Sequence, residues 1–237
     1  MFFTSVALYF TAICAAPAQH YRHATAWGRL NVIGGVTSKV SVLGEFFYRT
    51  QNDMRLSQYN PIQAPLLQGA RVGLNYRFNQ HWSVYVSPFW YLNSHALLGK
   101  DADYERAPVP EIRYALAPEW RYDWKKTTLQ LRWMQEYRTF GAAAPVAHRA
   151  RFRVQGRYQF NKQNYILASD ELFYIIPSLK VAPVFDIHRP LVCYGHNFNA
   201  HLALEVGYQF NYKRRRTLVE FDEEHSILLT AFIRLGH

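Results

Sequence analysis

The sequence predicts an all-β fold, a closed antiparallel transmembrane β-barrel of 10 or 12 strands with short periplasmic turns and longer outer loops. Aromatic residues make up 16% of the 237 residues, which favours strands over helices. Polar and apolar residues alternate over stretches longer than the ~5–6 residues usual for soluble strands and close to the ~9–11 that span a bilayer. Connections between these stretches alternate between short and long, as in outer-membrane barrels.

The N-terminal segment predicts export from the cytoplasm. Residues 1–18 carry no charge and end in Ala16-Pro17-Ala18, the small-x-small pattern that signal peptidase recognises. We therefore expect residues 1–18 to be removed as a signal peptide and residues 19–237 to form one domain. Cys14 leaves with the signal, so Cys193 has no partner for an internal disulfide. No later apolar stretch is long enough for a membrane helix, so the exported chain is either a periplasmic protein or a barrel.

The period of the sequence favours the barrel. In RARFRVQGRYQF, residues 149–160, every odd position is Arg or Gln and the positions between are apolar or small. Successive side chains of a strand point to opposite faces, so one face is polar and the other apolar. The same pattern recurs from 69, 111 and 201. We expect lipid contact for Val72, Leu74, Tyr76, Phe78, Tyr114, Leu116, Tyr122, Leu204, Val206 and Tyr208.

Eleven segments have the length and pattern of spanning strands: 27–33, 39–50, 67–78, 82–93, 111–124, 128–139, 149–160, 164–175, 187–196, 201–213 and 223–235. Bacterial single-chain barrels have an even number of strands, so the prediction is 10 or 12. Pro88, Pro118 and Pro190 fall inside these segments, where a missing N–H predicts bulges or displaced strand ends.

Tryptophans predict the membrane interfaces. Trp82 and Trp90 are eight residues apart on one strand face, a rise of about 26 Å before tilt, so we expect them near opposite rims of the apolar band. Trp120 and Trp124 complete the predicted aromatic girdle.

The segment NYILASDELFYIIP, residues 164–177, resembles the Ser-x-Glu-Leu-Phe-Tyr strand of the domain-of-unknown-function 2490 family of outer-membrane barrels in Gram-negative bacteria. The resemblance extends to strand–turn–strand patterns at 74–91, 149–167 and 197–211, along most of residues 24–235. It implies an outer-membrane barrel and brings no activity with it. The C-terminus departs from the family because Arg234-Leu235-Gly236-His237 replaces the usual terminal aromatic, for which Phe232 is a candidate substitute.

The polar face predicts a charged lumen. Its candidate network comprises Arg132, Glu136, Arg138, Arg149, Arg151, Arg153, Arg157, Glu171 and Glu205. Buried charges are tolerated when they are paired, so the first interpretation is a structural barrel filled by ion pairs. The second is a narrow anion-preferring pore, because arginines outnumber carboxylates on this face. Asp170 adjoins Glu171, so one of the two must lie at a bulge, at a rim or on the lipid face.

An outer-membrane hydrolase acting on lipid or peptide is the third hypothesis, with local candidates at Glu224-His225-Ser226 and Asn93-Ser94-His95. His225 and Ser226 are neighbours on a strand and face opposite ways, so we expect no catalytic site and no enzyme. We also expect no metal and no cofactor, because His20, His23, His196 and His201 have poor metal-ligand spacing.

The net charge of +10 and the run at 213–216 raise nucleic acid as a partner. Acidic residues at 220 and 222–224 follow that run and indicate a charged hairpin loop instead. The expected partners are outer-membrane lipid, lipopolysaccharide and the barrel-assembly machinery. The oligomeric state stays open.

Overall fold

The structure, a computed structural model, describes residues 19–141, 146–177, 184–215 and 217–236. The predicted signal peptide, with Cys14, lies outside these residues. Among the described residues, no helix is long and apolar enough to cross a membrane.

In the part of the chain that the structure describes, eleven strands form one closed barrel in which each strand pairs with its neighbours in the sequence. They are β1 (Gln19–Gly35), β2 (Val40–Gln51), β3 (Ala64–Arg77), β4 (Trp82–Ser94), β5 (Val109–Trp124), β6 (Thr127–Thr139), β7 (Ala147–Gln159), β8 (Asn164–Ile176), β9 (Val184–Asn197), β10 (Leu202–Arg214) and β11 (Glu220–Leu235). One helical turn, α1 (Asp101–Tyr104), interrupts the connection between β4 and β5.

The prediction of 10 or 12 strands in a wholly antiparallel barrel is wrong, because all eleven predicted segments are strands in the described residues. An odd number closes because β1 and β11 pair in parallel, from Gln19 opposite Glu220 to Gly34 opposite Leu235. All other neighbouring strands are antiparallel. The N-terminal segment begins at Gln19, so its 17 residues extend along the whole of β11.

The two ends of the barrel differ in their connections. Short turns at 36–39, 78–81, 125–126, 160–163 and 198–201 join strands at one end, which we call the turn end. Longer connections at 52–63, 95–108, 140–146, 177–183 and 215–219 lie at the other, which we call the loop end. Asn side chains shape several turns: Asn79, Asn161 and Asn199 each accept hydrogen bonds from backbone N–H groups two and three residues later.

The structure fixes which face of each strand is internal, which alternation alone could not do. Polar residues such as Arg149 and Glu136 are buried inside, whereas Val72, Leu74 and Leu116 are exposed on the outside. The ten residues expected to contact lipid all lie on this outer face, with Leu204 half-buried and the others exposed. The barrel therefore has a polar interior and an apolar outer wall.

The three prolines inside strands act in two ways. At Pro88 the pairing register shifts between Ser87 and Trp90, so β4 carries an extra residue there. At Pro118 and Pro190 the register does not change, and pairing is interrupted on one side only. A proline without an N–H thus produces a bulge at the first site and a local gap in the ladder at the other two.

Candidate functional site in the barrel lumen

The barrel encloses a cavity of about 1650 Å³, which we call the lumen cavity. Its walls reach from Asp103 and Thr217 at the loop end to Arg157 and Arg234 at the turn end. All nine residues of the predicted charge network face inward, and every one except Glu136 lines this cavity.

Glu136 is the centre of the densest ion-pair network. It is fully buried and accepts hydrogen bonds from Arg149 Nε at 2.8 Å and Arg151 Nη1 at 2.6 Å. Arg151 also donates to Glu171 at 2.8 Å, and Arg149 reaches Asp186 at 3.3 Å. Four strands, β6 to β9, are therefore linked by charge-assisted hydrogen bonds as well as by their backbone ladders.

Further carboxylates each pair with arginines along the wall. Glu111 accepts from Arg113 Nε at 2.6 Å and Arg138 Nε at 2.5 Å. Other pairs along the wall are Glu45 with Arg29 and Arg71, Glu119 with Arg132, and Glu224 with Arg49. These contacts satisfy charges that would be costly to bury alone.

Arginines and aromatic rings alternate around the middle of the lumen in a layer that we call the mid-barrel belt. The guanidinium carbons of Arg71 and Arg113 lie 4.6 and 4.8 Å from the ring centre of Trp90. Arg151 and Arg189 lie 4.5 and 4.6 Å from that of Phe173. The belt comprises Trp27, Arg49, Arg71, Trp90, Arg113, Arg151, Phe173 and Arg189, drawn from eight strands. Cation–π contacts hold the members of the belt together.

Arg153 and Arg157 differ from the arginines of the belt. Arg153 donates to Gln130 Oε1 at 3.3 Å, and Arg157 donates to Gln159 Oε1 at 2.9 Å. Neither has a carboxylate within 4.0 Å in the described part of the chain, and the buried Nε atom of each has no partner there. Glu205, the nearby turn-side carboxylate, accepts from Tyr165 Oη at 2.8 Å instead.

The connection at 95–108 covers part of the loop end and is tied to the opposite wall. Asp103 of α1 is 2% exposed and accepts from Arg215 Nη1 at 2.9 Å. Lys100 donates to Glu220 at 2.6 Å. We call residues 95–108 the cap.

The cap also contacts the neighbouring connection at 52–63. Tyr104 Oη donates to Asp53 Oδ1 at 2.6 Å, and this hydrogen bond lowers the pKa of Asp53. Burial and the same hydrogen bond raise the pKa of Tyr104. Both groups are therefore held in the protonation state that maintains the contact at neutral pH.

The predicted position of Trp90 in the aromatic girdle is wrong. Trp90 is 7% exposed and lines the lumen cavity, because the extra residue at Pro88 reverses which face the following residues occupy. Trp82 and Trp124 are exposed on the outer wall, and half-buried Trp120 stacks on Tyr122. These three tryptophans lie beside the short turns, so they mark one rim rather than two.

The other singled-out residues are placed as follows. Asp170 lies on the outer wall, 58% exposed at its side chain, and pairs with His188 at 2.8 Å, whereas Glu171 faces inward. His225 contacts Tyr208 at 2.6 Å on the outside, while Ser226 is buried against Thr25, so the two face opposite ways. Across residues 19–141, 146–177, 184–215 and 217–236, no three His, Cys, Asp or Glu side chains are grouped to hold a metal.

Several lumen residues were not predicted. Glu45 and Arg49 have the same parity as Gln51, and Glu224 has the same parity as Asp222, so the polar alternation of β2 and β11 could have indicated them. Trp27 and Phe173 give no such indication, because large aromatic residues are typical of the outer face.

A family model described as "Protein of unknown function (DUF2490)" matches residues 24–221. The chain belongs to the DUF2490 family. The resemblance noted from its sequence is thereby confirmed, and DUF2490 membership carries no established activity. None of the curated proteins matches this DUF2490 chain.

Solved structures similar to this DUF2490 protein include three chains of OmpT from Vibrio cholerae. The outer-membrane expressed form has a TM-score of 0.40 at 8% identity, over 78% of this chain and 60% of that one. An in-vitro folded form has 0.39 at 10%, over 79% and 56%, and its trimer form 0.39 at 7%, over 78% and 81%. The DUF2490 chain thus spans 60% of the length of the first of these structures.

Proposed function

We propose that this protein is an outer-membrane β-barrel whose lumen is a narrow, anion-preferring passage for small solutes. The observation that carries the proposal is the lumen cavity, whose lining extends from the cap to the short turns and holds arginines that have no carboxylate partner among the described residues. Such arginines attract negative solutes, because the excess positive charge acts in a low-dielectric enclosure.

The outer wall supports a membrane location. Exposed aromatic residues lie toward the turn end, as at Phe78 and Trp124, and toward the loop end, as at Tyr114 and Tyr137. Exposed aliphatic residues such as Leu74 and Val206 lie between these bands. Strands of 12 to 17 residues exceed the length needed to span a bilayer. In this orientation the expected partners are outer-membrane lipid and lipopolysaccharide, with the barrel-assembly machinery acting during insertion.

A closed structural barrel is the second candidate, and the ion pairs of the mid-barrel belt favour it. Glu111, Glu136 and Glu171 each hold two or more guanidinium groups, so the middle of the lumen is tightly cross-linked. In both candidates the protein is not an enzyme and needs no cofactor.

Electrical recording separates the two candidates. The full chain, expressed in a Gram-negative host and purified in detergent, should show heat-modifiable gel mobility, and a protein that stays soluble without detergent would contradict the membrane location. In planar bilayers under a KCl gradient we expect small conductance steps with a reversal potential on the anion-selective side. An absence of conductance would leave the structural barrel, and cation selectivity would overturn the role given to the unpaired arginines.

A further inference from the structure

The turn end of the lumen opens into a second, smaller cavity of about 570 Å³, which we call the turn-side mouth. Arg157 and Arg234 line both this mouth and the lumen cavity, and Lys162 of the turn between β7 and β8 lines the mouth alone. Its other polar lining residues are amides, among them Gln163 and Asn199. No acidic residue belongs to the lining within the described part of the chain.

The positive charge of the mouth is only partly balanced, because Glu205 of the lumen is the nearby carboxylate and bonds Tyr165 rather than an arginine. Arg157 and Arg234 donate only to the amide oxygens of Gln159 and Asn197, at 2.9 and 3.2 Å, and neither forms an ion pair within 4.0 Å among the described residues. At mid-lumen, by contrast, Arg149 contacts two carboxylates. Clustered cations that outnumber the carboxylates near them repel one another, so an anion in the mouth would relieve that repulsion.

Arg157 is held in one orientation by its surroundings. Its guanidinium carbon lies 3.7 Å from the ring centre of Tyr165. The Tyr165 ring in turn lies against Gly195, where an added Cβ would come within 2.1 Å of the ring. Stacking on a fixed ring holds the guanidinium plane in place, so the donors that remain beside the Gln159 contact are pre-arranged for a planar or tetrahedral oxyanion.

We propose that the turn-side mouth is a binding site for phosphate-type oxyanions, with Arg157 and Arg234 as the main donors and Lys162 as a supporting charge. This inference rests on the proposed anion-preferring passage in one respect, because it takes the turn-side mouth to be the place where the permeating anion is first bound. Two cationic forks and an ammonium group favour a doubly charged oxyanion over chloride, because each guanidinium makes paired hydrogen bonds that a spherical ion cannot accept.

Binding is tested without relying on conductance. Inorganic phosphate is titrated into the detergent-purified full chain by calorimetry in phosphate-free buffer, with chloride held constant. We expect saturable binding that weakens about tenfold or more in Arg157→Gln and in Arg234→Gln, since each variant removes a charge-assisted contact. Arg77→Gln is the matched control, because Arg77 is also at the turn end yet lines neither cavity. Equal affinity in all variants, or no saturable binding, overturns the site.

Two further measurements identify the source of the anion and separate this inference from the proposed function. If binding persists in nanodiscs containing anionic phospholipid, the ligand is a soluble phosphate, and if it is lost there, lipid phosphate occupies the same site. In bilayers, phosphate added on the side of the short turns should reduce chloride current more than phosphate added on the other side. Binding without conductance refutes the passage and leaves the site, whereas conductance without binding refutes the site alone.

Discussion

The two halves of the lumen differ in what their buried arginines contact. On the loop side of the mid-barrel belt and within it, most arginines that line the lumen meet carboxylates, as Arg138 meets Glu111 and Arg215 meets Asp103 and Asp222. On the turn side, Arg29 and Arg132 still pair with Glu45 and Glu119, whereas among the described residues Arg153, Arg157 and Arg234 contact only amides and, for Arg157, an aromatic ring. We call the loop side together with the belt the cohesive half, because its ion pairs link neighbouring strands. We call the turn side the cationic half, because its unpaired arginines leave a positive potential that attracts anionic solutes.

The largest expected effect is in the cohesive half. Glu136→Gln should lower the free energy of unfolding by about 3–5 kcal/mol, because Arg149 and Arg151 lose the shared carboxylate that compensates them. Urea titration in lipid vesicles, followed by tryptophan fluorescence, measures it. Glu205→Gln is the control. Glu205 accepts a hydrogen bond from the Tyr165 hydroxyl, and the amide oxygen of Gln can accept the same hydrogen bond, so we expect the free energy of unfolding to fall by less than about 1 kcal/mol. Equal losses would remove the distinction between the halves.

The next largest effect is expected on the stability with which the cap docks against the cohesive half. Asp103→Asn should weaken docking of residues 95–108 by roughly 1.5–3 kcal/mol, since a nearly buried charged hydrogen bond to Arg215 is lost. Hydrogen exchange across 97–106 should accelerate, while exchange in β7 stays unchanged. Asp101→Asn is the matched variant, because the Asp101 side chain is 93% exposed in its pair with Arg55 and should have little effect.

The sequence predicts features that depend on neighbouring residues, and it does not predict features that depend on strands far apart in the chain. Strict alternation in β7 placed Arg149, Arg151, Arg153 and Arg157 on one face, and the structure has them together. Their different partners depend on register across β6 and β8, which no local pattern specifies. Trp90 was misplaced because one extra residue at Pro88 reverses parity. The strand number was wrong because a parallel closure is decided by segments about two hundred residues apart.

A smaller effect, of little consequence for stability, is expected in the cationic half. Arg153→Gln should change the unfolding free energy by less than about 1 kcal/mol, because it removes a charge that no carboxylate compensates in the described residues. It should also move the reversal potential under a KCl gradient toward zero. Arg153→Lys should restore the wild-type potential. A large destabilisation would mean that Arg153 has a structural role like that of Arg149.

The smallest effect is a pH dependence of the cap. The pKa of Asp53 is lowered chiefly by its hydrogen bond from Tyr104, so the stabilisation is present above the ordinary Asp value of about 4 and is lost as pH falls through the lowered pKa. We expect proteolysis within 52–63 to be unchanged between pH 7 and 5 and faster near pH 3. In the Tyr104→Phe variant, the connection at 52–63 should be cleaved at the same rate across this pH range. A transition near pH 6 would require a histidine instead.

The parallel seam between β1 and β11 bears on how the barrel is completed during folding. Its partners are the most distant strands in sequence, so their pairing has the largest loop-closure cost and is expected late. Side chains link the seam as well: His23 lies 3.0 Å from Asp222 and Thr25 lies 2.5 Å from Ser226, on the inner face. A slip of one residue would turn these groups outward. The seam therefore favours the correct register at barrel closure, because the polar pairs between β1 and β11 form only in that register.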